Sequence, residues 1–392
     1  MNRRAFIVLV GSMFISMLGM GIVTPFLPIY ANTMGASAVE IGLIQAAFSM
    51  TGIATLLFVG RLSDRFGRKI FLSGGLVVLA ISSLGLIYAN DPLHLILWRF
   101  VQGLGASAHL PIAQSYLGDI TPEGREGKWM GHFNAVLFAG IGAGPLVGGV
   151  ITDAFSIKTS FLAMAVLNIL GLIATLLFLK EMPRKMAAPE HASIIAPLKS
   201  RIMQGVIGQR LSTGIGTATL MAFTPLFADV RMGLSASLIG IMLAMRTPVS
   251  FIQSYTGRLA DRWNRRSMVV WGGVVSVMAI AVMPLTSGFW TLLMAYICVT
   301  LGQAFAMPAA NAYVIHEGRT YGMGTCMTMF MMAMNVGNSI GPIALGGIAD
   351  FLGLESVFYS ASICMAAGVG IFALMIPRPV GSGKNIAAKS GK

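Results

Sequence analysis

Charge is scarce in this sequence, and its scarcity excludes most soluble folds. Only 10% of the 392 residues are Asp, Glu, Lys or Arg, while 56% are hydrophobic; a soluble domain carries roughly a quarter charged residues. Acids are scarcer still, 14 against 27 Lys plus Arg. All of them fall in expected loops or near the ends of apolar runs, so no carboxylate is central. The three cysteines, Cys298, Cys326 and Cys364, sit inside apolar runs with neither metal-ligand spacing nor a disulfide framework. A phosphate-cradling Walker loop is missing, and so is any metal or nucleophile constellation. No enzyme activity, metal or cofactor is therefore expected, and uphill work would draw on a gradient.

What the sequence does hold is a succession of apolar runs. A helix needs ~20 residues to cross a bilayer, and runs of that order occupy residues 6–29, 40–60, 70–89, 94–118, 130–152, 159–179, 204–228, 236–257, 267–287, 290–315, 323–349 and 355–376. The period-two alternation of a membrane barrel is absent. The fold class expected is an all-α membrane protein with twelve transmembrane helices, numbered here as spans 1 to 12. Span 1 follows the basic Asn2-Arg3-Arg4 like a signal peptide, but it continues to full length without a small-residue cleavage site and is read as retained.

Lys and Arg are shared unevenly between alternate loops, and positive loops stay in the cytoplasm. One set holds Arg3, Arg4, the segment GRLSDRFGRK (60–69), Arg125, Lys128, the stretch from Lys180 to Arg201, the segment GRLADRWNRR (257–266), Arg319 and the tail from Arg378 to Lys392. The other set has only Lys158 and Arg231, beside Glu40, Asp91, Asp153, Asp229, Asp350 and Glu355. Both termini are expected in the cytoplasm of a bacterial-type inner (plasma) membrane. The net charge of +13 is then mostly topology, and no nucleic-acid partner is expected.

The two charged decapeptides prompt a test for a longer repeat. Advancing 197 positions takes Gly60, Asp64 and Arg65 to Gly257, Asp261 and Arg262, and Gly105, Pro111 and Tyr116 to Gly302, Pro308 and Tyr313. The same shift takes Gly144, Pro145 and Asp153 to Gly341, Pro342 and Asp350. Earlier helices agree within a few residues, Gly42 resembling Gly240. The expected organisation is a six-helix bundle at 1–180, a charged linker at 181–203, a second six-helix bundle at 204–378 and a tail at 379–392. Parallel halves of this kind suit rocking about a site near the membrane midplane, although duplication for structure alone is the other reading.

GRLSDRFGRK resembles the signature between spans 2 and 3 of the major facilitator superfamily, with Gly60, Asp64, Arg65, Gly67, Arg68 and Lys69 in place. GRLADRWNRR is its weaker twin, because Asn264 replaces the second glycine. RFVQGLGAS, from Arg99, resembles the family's span 4 motif, whose arginine is associated with proton coupling in antiporters. Gly131, Gly140, Gly144, Pro145, Gly148 and Gly149 match the span 5 signature of drug:proton antiporters, GxxxxxxxxGxxxGPxxGG. In the second half, GPIALGG (341–347) has an extra residue, and Thr328 stands where the first glycine would fall. The resemblance implies two pseudo-symmetric bundles and a proton-coupled exporter of amphiphilic small molecules, working by alternating access.

Individual residues are assigned on both grounds. A cation cluster around Asp64 can latch one conformation through charge-assisted hydrogen bonds, with Asp119 as partner and Arg125 close by in sequence. The proton-coupling and gating set is Asp64, Arg65, Arg68, Arg99, Asp119, Arg125 and His109, with Gly257, Asp261 and Arg262 as the second-half gate. His109 titrates near neutral pH or is a packing residue; Glu40 is a further candidate. Arg99 and Arg246 lie deep in spans, where an ion is costly without a role. Each is either a structural donor to helix carbonyls or a ligand for an anionic group. The substrate-contact candidates are Arg246, Gln114, Asn134, Asn311, Asn335 and Met242. An organic anion, siderophore-like metabolite or lysolipid is the alternative substrate, and a ligand-binding sensor the alternative class. The partners expected are a small molecule, protons and the bilayer, with the chain a monomer.

Overall fold

The computed structural model describes residues 3–121, 126–181, 196–249, 252, 256, 259 and 263–376. Span 1 is divided into α1 (Arg3–Val23) and α2 (Leu27–Thr33). Spans 2 to 6 are α3 (Ala38–Phe66), α4 (Arg68–Ile87), α5 (Pro92–Ile120), α6 (Glu126–Ala154) and α7 (Ile157–Phe178). Spans 7 to 12 are α8 (Arg201–Met232), α9 (Ala236–Ala244), α10 (Arg265–Val282), α11 (Phe289–Tyr321), α12 (Met323–Leu352) and α13 (Ser356–Met375). Among the described residues, nine stretches are long and apolar enough to cross a membrane. The helices α5 and α12 match them in length, with 29 and 30 residues, and Ala236–Val249 is the continuous described part of span 8. The fold is therefore all-α with twelve spans.

Three boundaries differ from the sequence expectation, each for a local reason. Span 1 is interrupted because Pro25 and Pro28 have no N–H for the carbonyls of Gly21 and Thr24, and the chain turns through Thr24–Phe26 before α2 begins. The segment GRLSDRF is not a loop: α3 continues through it to Phe66 and stops at Gly67, whose φ of 108° suits glycine. The second half begins inside the range expected for the linker, since Ser200 caps α8 by accepting from the Met203 N–H.

The core explains how the halves are joined. One cluster mixes residues of both halves, packing Val23, Phe26 and Leu27 with Phe223, Phe227, Leu345 and Phe358. These residues lie toward the face that carries the acidic loops, here the acidic face. Two further clusters lie toward the opposite, basic face, and each belongs to one half. Leu9, Met13, Tyr116 and Phe133 pack in the first half; Met203, Val269, Phe330 and Phe372 pack in the second. The halves thus share a core at the acidic face and keep separate cores at the basic face.

Candidate functional site

The joint between the halves is built mainly on two seams, α6 against α9 and α3 against α12, related by the internal repeat, with α2 and α3 also touching α8. A side chain at Gly240 would meet the Pro145 carbonyl, and one at Gly42 would meet the Pro342 carbonyl. One level further out, Gly149 packs on Ala236 and Gly346 on Ala38. Backbone meets backbone because these positions lack side chains, which is how small residues join membrane helices. Gly346, rather than Gly347, is the counterpart of Gly149, so the extra residue of GPIALGG leaves the seam intact.

A carboxylate closes the acidic end of each seam. The N–H groups of Ala38 and Val39 donate to Asp350 at 2.6 and 3.1 Å, and those of Ala236 and Ser237 donate to Asp153 at 3.0 and 2.8 Å. Each acid therefore satisfies two open donors at the first turn of a helix in the other half. The donors left over are met locally. Ser37 and Glu40 form a reciprocal capping box on α3, and the Ser235 hydroxyl accepts from Leu238 on α9. Glu40, a coupling candidate in the sequence, is occupied by this cap. A cap of this kind is worth ~0.5–2 kcal/mol, strong enough to bias a conformation and weak enough to release it.

Between the seams and the two separate cores lies a cavity of about 490 Å³. Met17, Met20, Phe138 and Ile141 line it from the first half, and Arg210, Arg246, Thr217 and Gln303 from the second. Among the described lining residues there is no Asp or Glu. Two buried arginines differ in how they are satisfied. Arg99 donates to the Ile44 carbonyl, Gln102 and Gln45 at 3.3, 2.6 and 3.1 Å, lies over the Phe48 ring at 4.5 Å and does not line the cavity. Arg210 also lies over a ring, Phe330 at 4.5 Å, but its buried Nε has no hydrogen-bond partner. A buried donor left unsatisfied costs ~1–3 kcal/mol, more when charged.

At the basic face the decapeptides make corresponding contacts within each half. The Lys69 ammonium donates to the Leu176 carbonyl near the end of α7, and the Arg266 guanidinium donates to the Ala373 and Ile376 carbonyls at the end of α13. A cation at a helix C-terminus is favoured by the open carbonyls and the helix dipole. Where the first half has Gly67, Asn264 caps α10 through its own side chain, accepting from Arg266 and Ser267. On α4 part of that capping comes from Glu181, which accepts from the Lys69 N–H at 3.2 Å. Glu181 was missed in the sequence because it belongs to the linker. Arg68 Nε stands 2.6 Å from Asp119, joining α4 to α5 inside the first half.

The remaining candidates are scattered. Arg65 is exposed over the Phe66 ring. The Asp64 side chain, Arg125, Gly257, Asp261 and Arg262 lie outside the described residues. His109 is buried against Gly75 between α4 and α5, away from the cavity. Of the substrate-contact candidates, Arg246 lines the cavity, whereas Gln114, Asn134, Asn311, Asn335 and Met242 do not. Met242 is sealed in the shared core and Gln114 is exposed. In the span 5 signature, Gly140, Gly144 and Gly148 pack on α1, while Gly149 and Pro145 meet α9. Gly131 touches nothing that a side chain would displace.

Known proteins share this architecture. The chain is 24% identical over 394 residues to the quinolone resistance protein NorA of Staphylococcus aureus, covering 96% of each chain. It is 26% identical to an MFS-type transporter of Methanocaldococcus jannaschii, covering 94% of this chain and 97% of that one. Among solved structures, the nucleoside transporter NupG superposes with a TM-score of 0.81 at 15% identity, covering 96% of this chain and 99% of that one. The human organic anion transporter MFSD10 superposes with a TM-score of 0.65 at 15% identity, covering 94% and 99%. The sequence profile of the Major Facilitator Superfamily matches residues 9–317 and again 247–391. With that profile spanning both halves of a twelve-helix fold, the chain belongs to the Major Facilitator Superfamily of membrane transporters.

Proposed function

We propose that the protein is a secondary-active exporter of amphiphilic small molecules that works by alternating access, with protons as the coupling ion. One observation carries this reading: the halves share a core and two capped seams at the acidic face but keep separate cores at the basic face, with the cavity between them. With the basic face in the cytoplasm, the cavity faces inward, and release outward needs the two seams to part while the separate cores close together. Residues 1–180 and 204–378 are the rocking bodies in this scheme, and both termini are cytoplasmic.

The cavity lining suits an amphiphile. Methionine side chains repack around varied apolar groups, and Met17, Met20, Met221, Met307 and Met334 all face the space. Efflux is supported by the span 5 signature and by similarity to a protein named for quinolone resistance. Coupling is assigned to Asp64 and Asp119, with Arg68, 2.6 Å from Asp119, setting its surroundings; Arg99, about 30 Å along α5 from Asp119, is left with a structural part. The test is flux in proteoliposomes of the full chain. An imposed pH gradient is expected to drive a fluorescent amphiphile against its own gradient, and an uncoupler to abolish the movement. Flux indifferent to the pH gradient would remove proton coupling; no movement of any amphiphile in a charge-varied panel, with the gradient intact, would remove export.

A further inference from the structure

We infer that the second-half wall of the cavity is an oxyanion site, and that the substrate is an amphiphile whose carboxylate or phosphate head is received by Arg210, with its apolar part against the first-half wall. The inference deepens the export reading and rests on it for the word substrate. Its ground is the arrangement of charge. Two guanidinium groups, Arg210 and Arg246, line the cavity, and among the described lining residues there is no Asp or Glu. The Arg210 guanidinium borders this space from a buried position, where a charge is screened less than in water.

Arg210 is the more informative of the two. It is 6% exposed, in the middle of a membrane protein, and makes no ion pair among the described residues. Its contact with the Phe330 ring holds the guanidinium in place without using its N–H groups, and the buried Nε is left without a partner. Arg99 shows what a purely structural arginine looks like in this fold, with all three nitrogens donating to named acceptors away from the cavity. Arg246 has interactions of its own and borders the same space, so the inference is placed on Arg210. A planar guanidinium with open donors matches a carboxylate or phosphate, which it can grip through two parallel hydrogen bonds. A lipophilic cation would meet the like charge of Arg210, with no Asp or Glu among the described lining residues to offset it.

The two walls differ in the manner such a ligand requires. Most polar groups, Gln209, Thr213, Thr217 and Gln303, stand beside the arginines in the second half, which also brings Met221, Met307 and Met334, whereas the first half offers Met17, Met20, Phe138 and Ile141 with Thr24. At about 490 Å³ the cavity falls within the roughly 300–1,000 Å³ of small-molecule sites. A head group held by one half and a tail held by the other would also be a ligand that each half grips separately as the halves rock.

The experiment is calorimetric titration of the full-length protein in non-ionic micelles with octanoate, octyl phosphate, octyltrimethylammonium and acetate. Octanoate or octyl phosphate is expected to bind at least ~10-fold more tightly than the cation of equal chain length, and acetate more weakly than octanoate; the tighter of the two anions names the head group. Arg210→Gln should cost the preferred anion ~10-fold or more while narrowing its advantage over the cation, and Arg210→Lys should retain part of the preference. Equal binding of anion and cation by the unaltered protein overturns the inference without any variant, and an undiminished anion preference in a folded Arg210→Gln protein overturns the role of Arg210. Flux separates this from the export reading. A transported cation with no anion binding sinks the oxyanion site and leaves export standing; anion binding with no gradient-driven flux of any probe does the reverse.

Discussion

At the scale of single residues, two buried arginines differ in their partners. Arg99 and Arg210 are both buried arginines stacked on phenylalanine rings, but only Arg99 has an acceptor for each nitrogen. Arg99→Lys keeps the charge and loses the fork, so it is expected to destabilise the protein by ~1.5–3 kcal/mol, since hydrogen bonds to charged groups carry about that much. The check is the midpoint of heat inactivation in detergent; an unchanged midpoint would mean that the three contacts are dispensable. Asn264 makes a second case. It stands where the family signature has glycine, and the structure explains the departure by the cap it puts on α10. Asn264→Ala should cost ~0.5–2 kcal/mol in the same assay, whereas glycine there should cost only a few tenths.

At the scale of elements, the span 5 signature divides into positions that pack and one that does not. Gly144 lies against the Gly21 backbone and Gly148 against Ile22, with no flexible side chain to yield. Gly148→Val is expected to destabilise the α1–α6 contact by ~1–3 kcal/mol through overpacking. Gly131→Ala has open space and a helical backbone, so it should be neutral or stabilise by ~0.5–1 kcal/mol. Both are read by thermal inactivation, and a severe defect at Gly131 would show that the glycine serves something other than this packing. The signature pattern was legible in the sequence. Which of its glycines touch a neighbour was not, because that depends on the face each presents to α1 and α9.

At the scale of the whole molecule, Asp153 and Asp350 hold the two halves together where they meet at the acidic face. Each caps a helix of the opposite half through two backbone N–H groups. Asp153→Ala and Asp350→Ala should each shift the conformational equilibrium toward opening at that face by ~0.5–2 kcal/mol. The double substitution should approach the sum, since separated sites add. A cysteine placed in the cavity wall, in a background freed of the native cysteines, would report this as faster modification by an impermeant reagent from the acidic side. Rates unchanged in the double variant would show that the caps do not contribute to closure. A shift from 1:99 to 99:1 needs ~5.5 kcal/mol, so the caps bias the equilibrium and a bound ligand has room to reverse it.

The sequence by itself determined the membrane class, the twelve spans, the basic and acidic faces and the two repeated halves. Each of these depends on hydropathy, on charge placement or on a constant shift of 197 positions, all properties of residues close together or in register along the chain. It also marked Asp153 and Asp350 as repeat partners, though only as loop acids. The tertiary structure decided what those acids cap, that Lys69 and Arg266 close the ends of α7 and α13, that α3 runs into the first decapeptide as far as Phe66, and that Met242 lies in the core while Arg246 reaches the cavity. The reason is physical: whether a buried polar group is satisfied depends on acceptors far away in the chain. Gln45 is 54 residues from Arg99, and Asp350 is 312 from Ala38. Only the packing of one helix against another brings such groups within hydrogen-bond distance, or leaves an arginine facing an open cavity.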